Sequence, residues 1–157
     1  MTNISNLFNF IESNRPEYKT PLKVKLLYDP GSITKDDLNV KGELNLFNTP
    51  ITNLPDNLTV GGYLHLSKTS ITTLPDNLMV GDNLYLSNTS ITTLPDNLTV
   101  GGNLDLYNTS ITTLPDNLTV GGNLELSKTP LSKQYSRDEI YKMIQDKGGN
   151  FEGGIYV

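Results

Sequence analysis

LYLSNTSITTLPDNLTVGGN, residues 84–103, returns as LDLYNTSITTLPDNLTVGGN at 104–123 with only two positions changed. Working outward, the same frame covers LHLSKTSITTLPDNLMVGDN (64–83) and LNLFNTPITNLPDNLTVGGY (44–63), and a fifth copy begins as LELSKTPL at Leu124 before departing from it. A fixed period of 20 residues marks a repeat architecture in which each unit is one supersecondary element. Upstream, Val24, Leu26, Leu38, Val40 and Gly42 fall in register with Leu44, Leu46, Leu58, Val60 and Gly62. That register predicts a degenerate coil over 24–43 and about five to six coils in all.

Inside one copy, Leu84-x-Leu86 and Leu98-x-Val100 alternate as short strands do, with both apolar side chains on one face. Ile91 and Leu94 bridge them, Leu94-Pro95-Asp96-Asn97 carries turn chemistry, and Gly101-Gly102-Asn103 supplies a second bend. A chain that turns twice and points six apolar groups inward is one coil of a solenoid. A single coil has nothing to cover its apolar stripe, so each needs a neighbour stacked on it.

The frame L-x-L-x-x-T-x-I-x-x-L-P-x-x-L-x-V, as from Leu84 to Val100, resembles the leucine-rich repeat L-x-L-x-x-N-x-L-x-x-L-P. It is most similar to the short 20-residue type of secreted bacterial effectors and small tailed-bacteriophage proteins, over about 44–131. The family's Asn-ladder position is threonine here (Thr49, Thr69, Thr89, Thr109, Thr129), whose hydroxyl can satisfy a backbone group inside the turn. The resemblance implies a mainly β repeat solenoid that binds a protein partner on its concave strand face. Effectors of this type that add a ligase domain use a cysteine nucleophile, which this chain lacks. The phage likeness implies an alternative, a counter-defence protein that inhibits a host defence protein or sequesters a nucleotide signal.

The ends differ in kind. Ile4, Leu7, Phe8 and Ile11 fall at helical spacing before Arg15-Pro16, and Ser136-Arg-Asp-Glu139 is a capping box opening a helix with Ile140, Met143 and Ile144 on one side. These helices are expected to cover the open solenoid ends, with a closing strand through Ile155, Tyr156 and Val157. The expected organisation is an N-terminal helical cap over 1–23, the leucine-rich-repeat solenoid over 24–131 and a C-terminal cap over 132–157.

Composition narrows the function. A formal charge of -5 argues against capture of nucleic acid or an anionic membrane, which needs a basic stripe. With no cysteine there is no disulfide, thiolate zinc site or thiol nucleophile. The chain shows no basic leader and no apolar run near the roughly 18 residues of a membrane span, so a cytoplasmic location is expected. No catalytic residue, metal site or cofactor is expected: His65 is the sole histidine, and the glycine pairs lack the Lys-Ser/Thr of a phosphate loop. Asp56, Asp76, Asp96 and Asp116 form a column of turn carboxylates roughly 4.8 Å apart. They serve the turn or hold calcium.

Comparison of the copies points to a binding face. Among 64–83, 84–103 and 104–123 only five columns vary, and three of them lie in or beside the L-x-L strand: His65/Tyr85/Asp105, Ser67/Ser87/Tyr107 and Lys68/Asn88/Asn108. Asn45, Phe47, Tyr63, Asn83, Asn103, Asn123 and Glu125 extend this into a surface rich in aromatics and amides. Aromatic anchors among polar groups suit a protein interface, so Tyr63, His65, Tyr85, Asp105 and Tyr107 are expected near its centre, with Phe47, Asn45 and Glu125 around them. A small nucleotide ligand and self-association stay open.

Overall fold

The two alternating stretches of each copy pair with their counterparts one coil away, and this pairing builds the molecule. The computed structural model describes residues 4–15 and 19–157. Helices α1 (Ile4–Asn14) and α2 (Leu22–Tyr28) come first. Strands β1 (Asn39–Val40), β2 (Leu44–Asn45), β3 (Thr59–Val60), β4 (Leu64–His65), β5 (Met79–Val80) and β6 (Leu84–Tyr85) follow. Then come β7 (Thr99–Val100), β8 (Leu104–Asp105), β9 (Thr119–Val120), β10 (Leu124–Glu125), helices α3 (Pro130–Gln134) and α4 (Arg137–Asp146), and finally β11 (Asn150–Phe151) and β12 (Ile155–Tyr156).

The odd-numbered strands form one six-stranded parallel sheet and the even-numbered strands another, each in chain order. The register advances by one copy per strand, Leu64 opposite Leu84 and Thr99 opposite Thr119. In the last coil Leu124 pairs with Ile155 and Thr119 with Asn150, so α3 and α4 fill the place of the usual turn segment. The fold is a repeat solenoid, mainly β, flanked by helices, and four of its coils keep the 20-residue step.

The six inward side chains of the central coil, Leu84, Leu86, Ile91, Leu94, Leu98 and Val100, are all buried, and with their equivalents they form one continuous core. At roughly 1.5–3 kcal/mol for each aliphatic side chain, this spine is the main source of stability. Polar ladders hold the turns. Thr49, Thr69, Thr89 and Thr109 each donate a hydroxyl hydrogen bond, at 2.6–2.8 Å, to the carbonyl of the leucine three residues earlier. Thr129 instead accepts from the Ser132 amide and caps α3.

The Pro-Asp-Asn turns place Asn57, Asn77, Asn97 and Asn117 at positive φ, where asparagine is among the few tolerated residues. The turn aspartates spend oxygens on the next coil: Asp56 accepts from the Asp76 amide at 3.3 Å and Asp96 from the Asp116 amide at 2.9 Å. Lys147 ends the column with an ion pair to Asp116 at 2.8 Å.

Two expectations at the N-terminal end need correction. The coil expected over 24–43 is only half present. Val40 and Gly42 do pair with the next coil, but Val24 and Leu26 lie in α2, which crosses the expected boundary at 23/24. Lys25 explains why a helix suits this segment: its side chain is buried, and its ammonium reaches Asp37 at 3.1 Å and Glu12 at 3.6 Å, partners a flat strand would not gather. End coverage by α1 is partial, because Ile4 and Leu7 are exposed and Phe8 and Ile11 half-buried, while Leu22 and Leu26 of α2 enter the core. The break expected at Arg15-Pro16 falls partly outside the described residues.

The second bend forms as expected at Gly61-Gly62, Gly101-Gly102 and Gly121-Gly122, and Gly61, Gly81, Gly101 and Gly121 make it without positive φ. A Cβ on Gly101 would run into the carbonyl of Gly81, and one on Gly121 into that of Gly101, so these glycines let coils approach. The C-terminal capping box forms as expected, with Ser136 and Glu139 bonding each other's backbone amides and Ile140 and Ile144 buried. Among the described residues no helix is long and apolar enough to cross a membrane.

Candidate functional site

Each L-x-L strand buries its leucines and turns the residue between them outward, so the even-numbered sheet presents a column Asn45, His65, Tyr85, Asp105, Glu125 and Tyr156 in direct register. Beside it run Phe47, Ser67, Ser87, Tyr107 and Ser127. Next to that lie Asn48, Lys68, Asn88, Asn108 and Lys128.

The structure gathers four of the expected residues into one aromatic cluster. His65 lies between Phe47 and Tyr85, with ring centroids 4.9 and 5.1 Å away, and Tyr63 meets Tyr85 edge-on at 6.3 Å. Ring pairs at these distances are each worth about 0.5–1.5 kcal/mol beyond area burial. The cluster remains accessible, Phe47 being 42% exposed and the other three half-buried. Burial among the rings holds the His65 imidazole below its usual value, against the pull of Asp105 in the opposite direction.

Tyr107 stands apart from this cluster, with the Lys128 ammonium 5.0 Å from its ring centre. Asn45, Asp105 and Glu125 also have a local duty. Their side-chain oxygens accept the backbone amides two residues on, those of Phe47, Tyr107 and Ser127, at 3.0, 2.9 and 2.7 Å. They shape the strand exit as well as the face. Of the residues expected at the centre, Tyr63, His65 and Tyr85 thus touch one another and Phe47, while Asp105 lies beside them and Tyr107 and Glu125 lie towards the C-terminal end.

Sequence comparison assigned Asn83, Asn103 and Asn123 to the surface without a role. Asn83 accepts the Asn103 amide at 2.7 Å, Asn103 accepts that of Asn123 at 2.8 Å, and Asn123 accepts that of Gly154 at 2.8 Å. This ladder is structural, and Tyr63 occupies its first position. Sequence comparison also left Lys68 and Lys128 outside the chosen site. Both hold positive φ, 59° and 64°, at a position where Asn48, Asn88 and Asn108 do the same. For a side chain other than glycine, asparagine or aspartate this costs about 1 kcal/mol. The recurring asparagine in that column was the available signal.

Two departures from the coil's own rules thus meet on one face. His65 and Tyr85 replace the amide or carboxylate that accepts a backbone N–H in other coils, giving up a bond worth about 1 kcal/mol. Lys68 and Lys128 replace asparagine at a left-handed position. No group of three or more potential ligands for a metal ion occurs among the described residues. No protein-family model, curated protein or solved structure matches this chain.

Proposed function

We propose that this chain is a recognition module of the leucine-rich-repeat type that binds a partner protein through the outward face of its even-numbered sheet, without catalysis. One observation carries the reading: the residues that break the coil's local rules lie on that face, and two of them, His65 and Tyr85, belong to an accessible cluster of four rings. A scaffold gives up local stability in this way where a site is being served. The rings are large, stiff and partly desolvated, the properties of residues that anchor interfaces. The repeat type is supported by the L-x-L-x-x-T-x-I-x-x-L-P frame and its one-coil-per-copy register. The non-catalytic reading is supported by His65, the only imidazole, being packed between two rings and not against a nucleophile.

Replacing Tyr85 and Tyr107 together by alanine tests the reading. The expected outcome is loss of partner capture in a pull-down from a protein that still folds, with a melting temperature lowered only by the lost ring contacts. Equal loss of folding would make the rings structural and remove the proposal.

A further inference from the structure

The lysines on the even face follow a rule of their own. In each coil the residue at the left-handed position is chosen according to the side chain one coil back and one column over. Lys68 follows Phe47 and Lys128 follows Tyr107, whereas Asn88 follows Ser67 and Asn108 follows Ser87. Each lysine ammonium rests over the ring it follows, 5.6 Å from the centre of Phe47 and 5.0 Å from that of Tyr107. Between the two pairs these two columns carry only small neutral side chains, of which Ser67 is buried. Ser87 donates to Ser67 at 2.9 Å and Asn108 to Asn88 at 2.9 Å, so these small groups satisfy one another. The result is a saddle with an aromatic–lysine post at either end.

Stacking on a ring fixes an ammonium that would otherwise sample many rotamers, which lowers the entropy lost when an anion docks on it. Lys68 and Lys128 are three coils apart, roughly 14 Å at about 4.8 Å per coil. An extended peptide covers that distance in about four residues at roughly 3.4 Å each. Charge is uneven along the saddle. Asp105 and Glu125 lie in the column beside the Lys128 post, each with one oxygen held by a backbone amide, while the Lys68 post has Asn45 and His65 for neighbours. Lys68 is therefore the stronger anchor of the two.

We infer that the partner presents an extended acidic segment to this saddle, with carboxylates about four residues apart docking on Lys68 and Lys128. This rests on the proposed protein-binding face and specifies what it recognises.

Selection of random peptides on the immobilised protein provides the test, run in parallel on wild type, on the Lys68→Asn/Lys128→Asn double variant and on Tyr85→Ala. Asparagine already serves at this position in three coils, so the double variant is expected to fold, which circular dichroism checks. Wild type should enrich peptides with two acidic residues about four apart. Their affinity should fall at least about tenfold on the double variant, and Lys68→Asn alone should lower it more than Lys128→Asn alone. Enrichment without acidic pairs, or acidic pairs that bind the double variant equally well, overturns the inference. If that happens while peptide binding still requires Tyr85, the face remains a recognition surface and only the lysine posts lose their role. If no peptide depends on Tyr85 or on the lysines, both readings fall.

Discussion

The two sheets share a backbone path, a coil spacing and a core, yet their outward columns differ in kind. The odd sheet shows Asn39, Thr59, Met79, Thr99, Thr119 and Asn150, half of them threonine, a type suited to a pleated surface. The even sheet shows Asn45, His65, Tyr85, Asp105, Glu125 and Tyr156, five residue types in six places. Both columns meet the same mechanical demand, so a strand that accepts threonine on one side of the coil does not require tyrosine or histidine on the other. The contrast separates what the solenoid needs from what it displays.

The largest expected effect ignores the contrast and so sets its scale. Gly101→Ala should cost about 3 kcal/mol in chemical denaturation, because the new methyl meets the backbone carbonyl of Gly81 and the coil has no slack to move it. Both sheets should loosen together. Tyr85→Ala should split them: about 2 kcal/mol of partner affinity, roughly 30-fold, with about 1–2 kcal/mol of stability from its two ring contacts, less than Gly101→Ala costs. Thr99→Ala on the odd sheet should change affinity by nothing measurable. Comparable affinity losses from the two would erase the distinction between the faces.

Smaller effects sharpen it. Lys68→Asn should raise stability by about 0.5 kcal/mol, since relief at a positive φ of 59° exceeds the loss of an exposed cation–ring contact. A lower melting temperature would show that the ring contact dominates. The smallest effect concerns pH. Burial depresses the His65 value in the folded chain, so the neutral ring is the folded form's preference, and its contribution is full above the unfolded value near 6.5. It is lost as pH falls through the folded value. His65→Gln should therefore flatten the stability profile from about pH 7 to about pH 5, above the carboxylate range. An unchanged slope in urea unfolding would remove His65 from the titration.

Periodicity made the coils legible because their cause is local and repeated: six inward apolar groups, a Pro-Asp-Asn turn and a glycine column recur in every copy. The failures came where one segment meets another out of register. Val24 and Leu26 alone do not distinguish a strand from a helix; in the helix it is Leu22, Lys25 and Leu26 that are buried, with Lys25 meeting Asp37 and Glu12. Likewise, within-chain variation found the aromatic column but placed Tyr107 with His65 and Tyr85, because it does not report which rings touch. Lys68 and Lys128 were visible only as variable surface residues until their backbone angles set them beside Asn48, Asn88 and Asn108.

Site-specific photo-crosslinking tests the central claim most directly. A photo-reactive amino acid replaces Tyr85 on the even sheet or, separately, Thr99 on the odd sheet, and each folded protein is illuminated with its captured partner. Covalent capture from position 85 and none from position 99 is the predicted result. Capture from position 99 alone, or equally from both, would contradict the assignment of recognition to the even face.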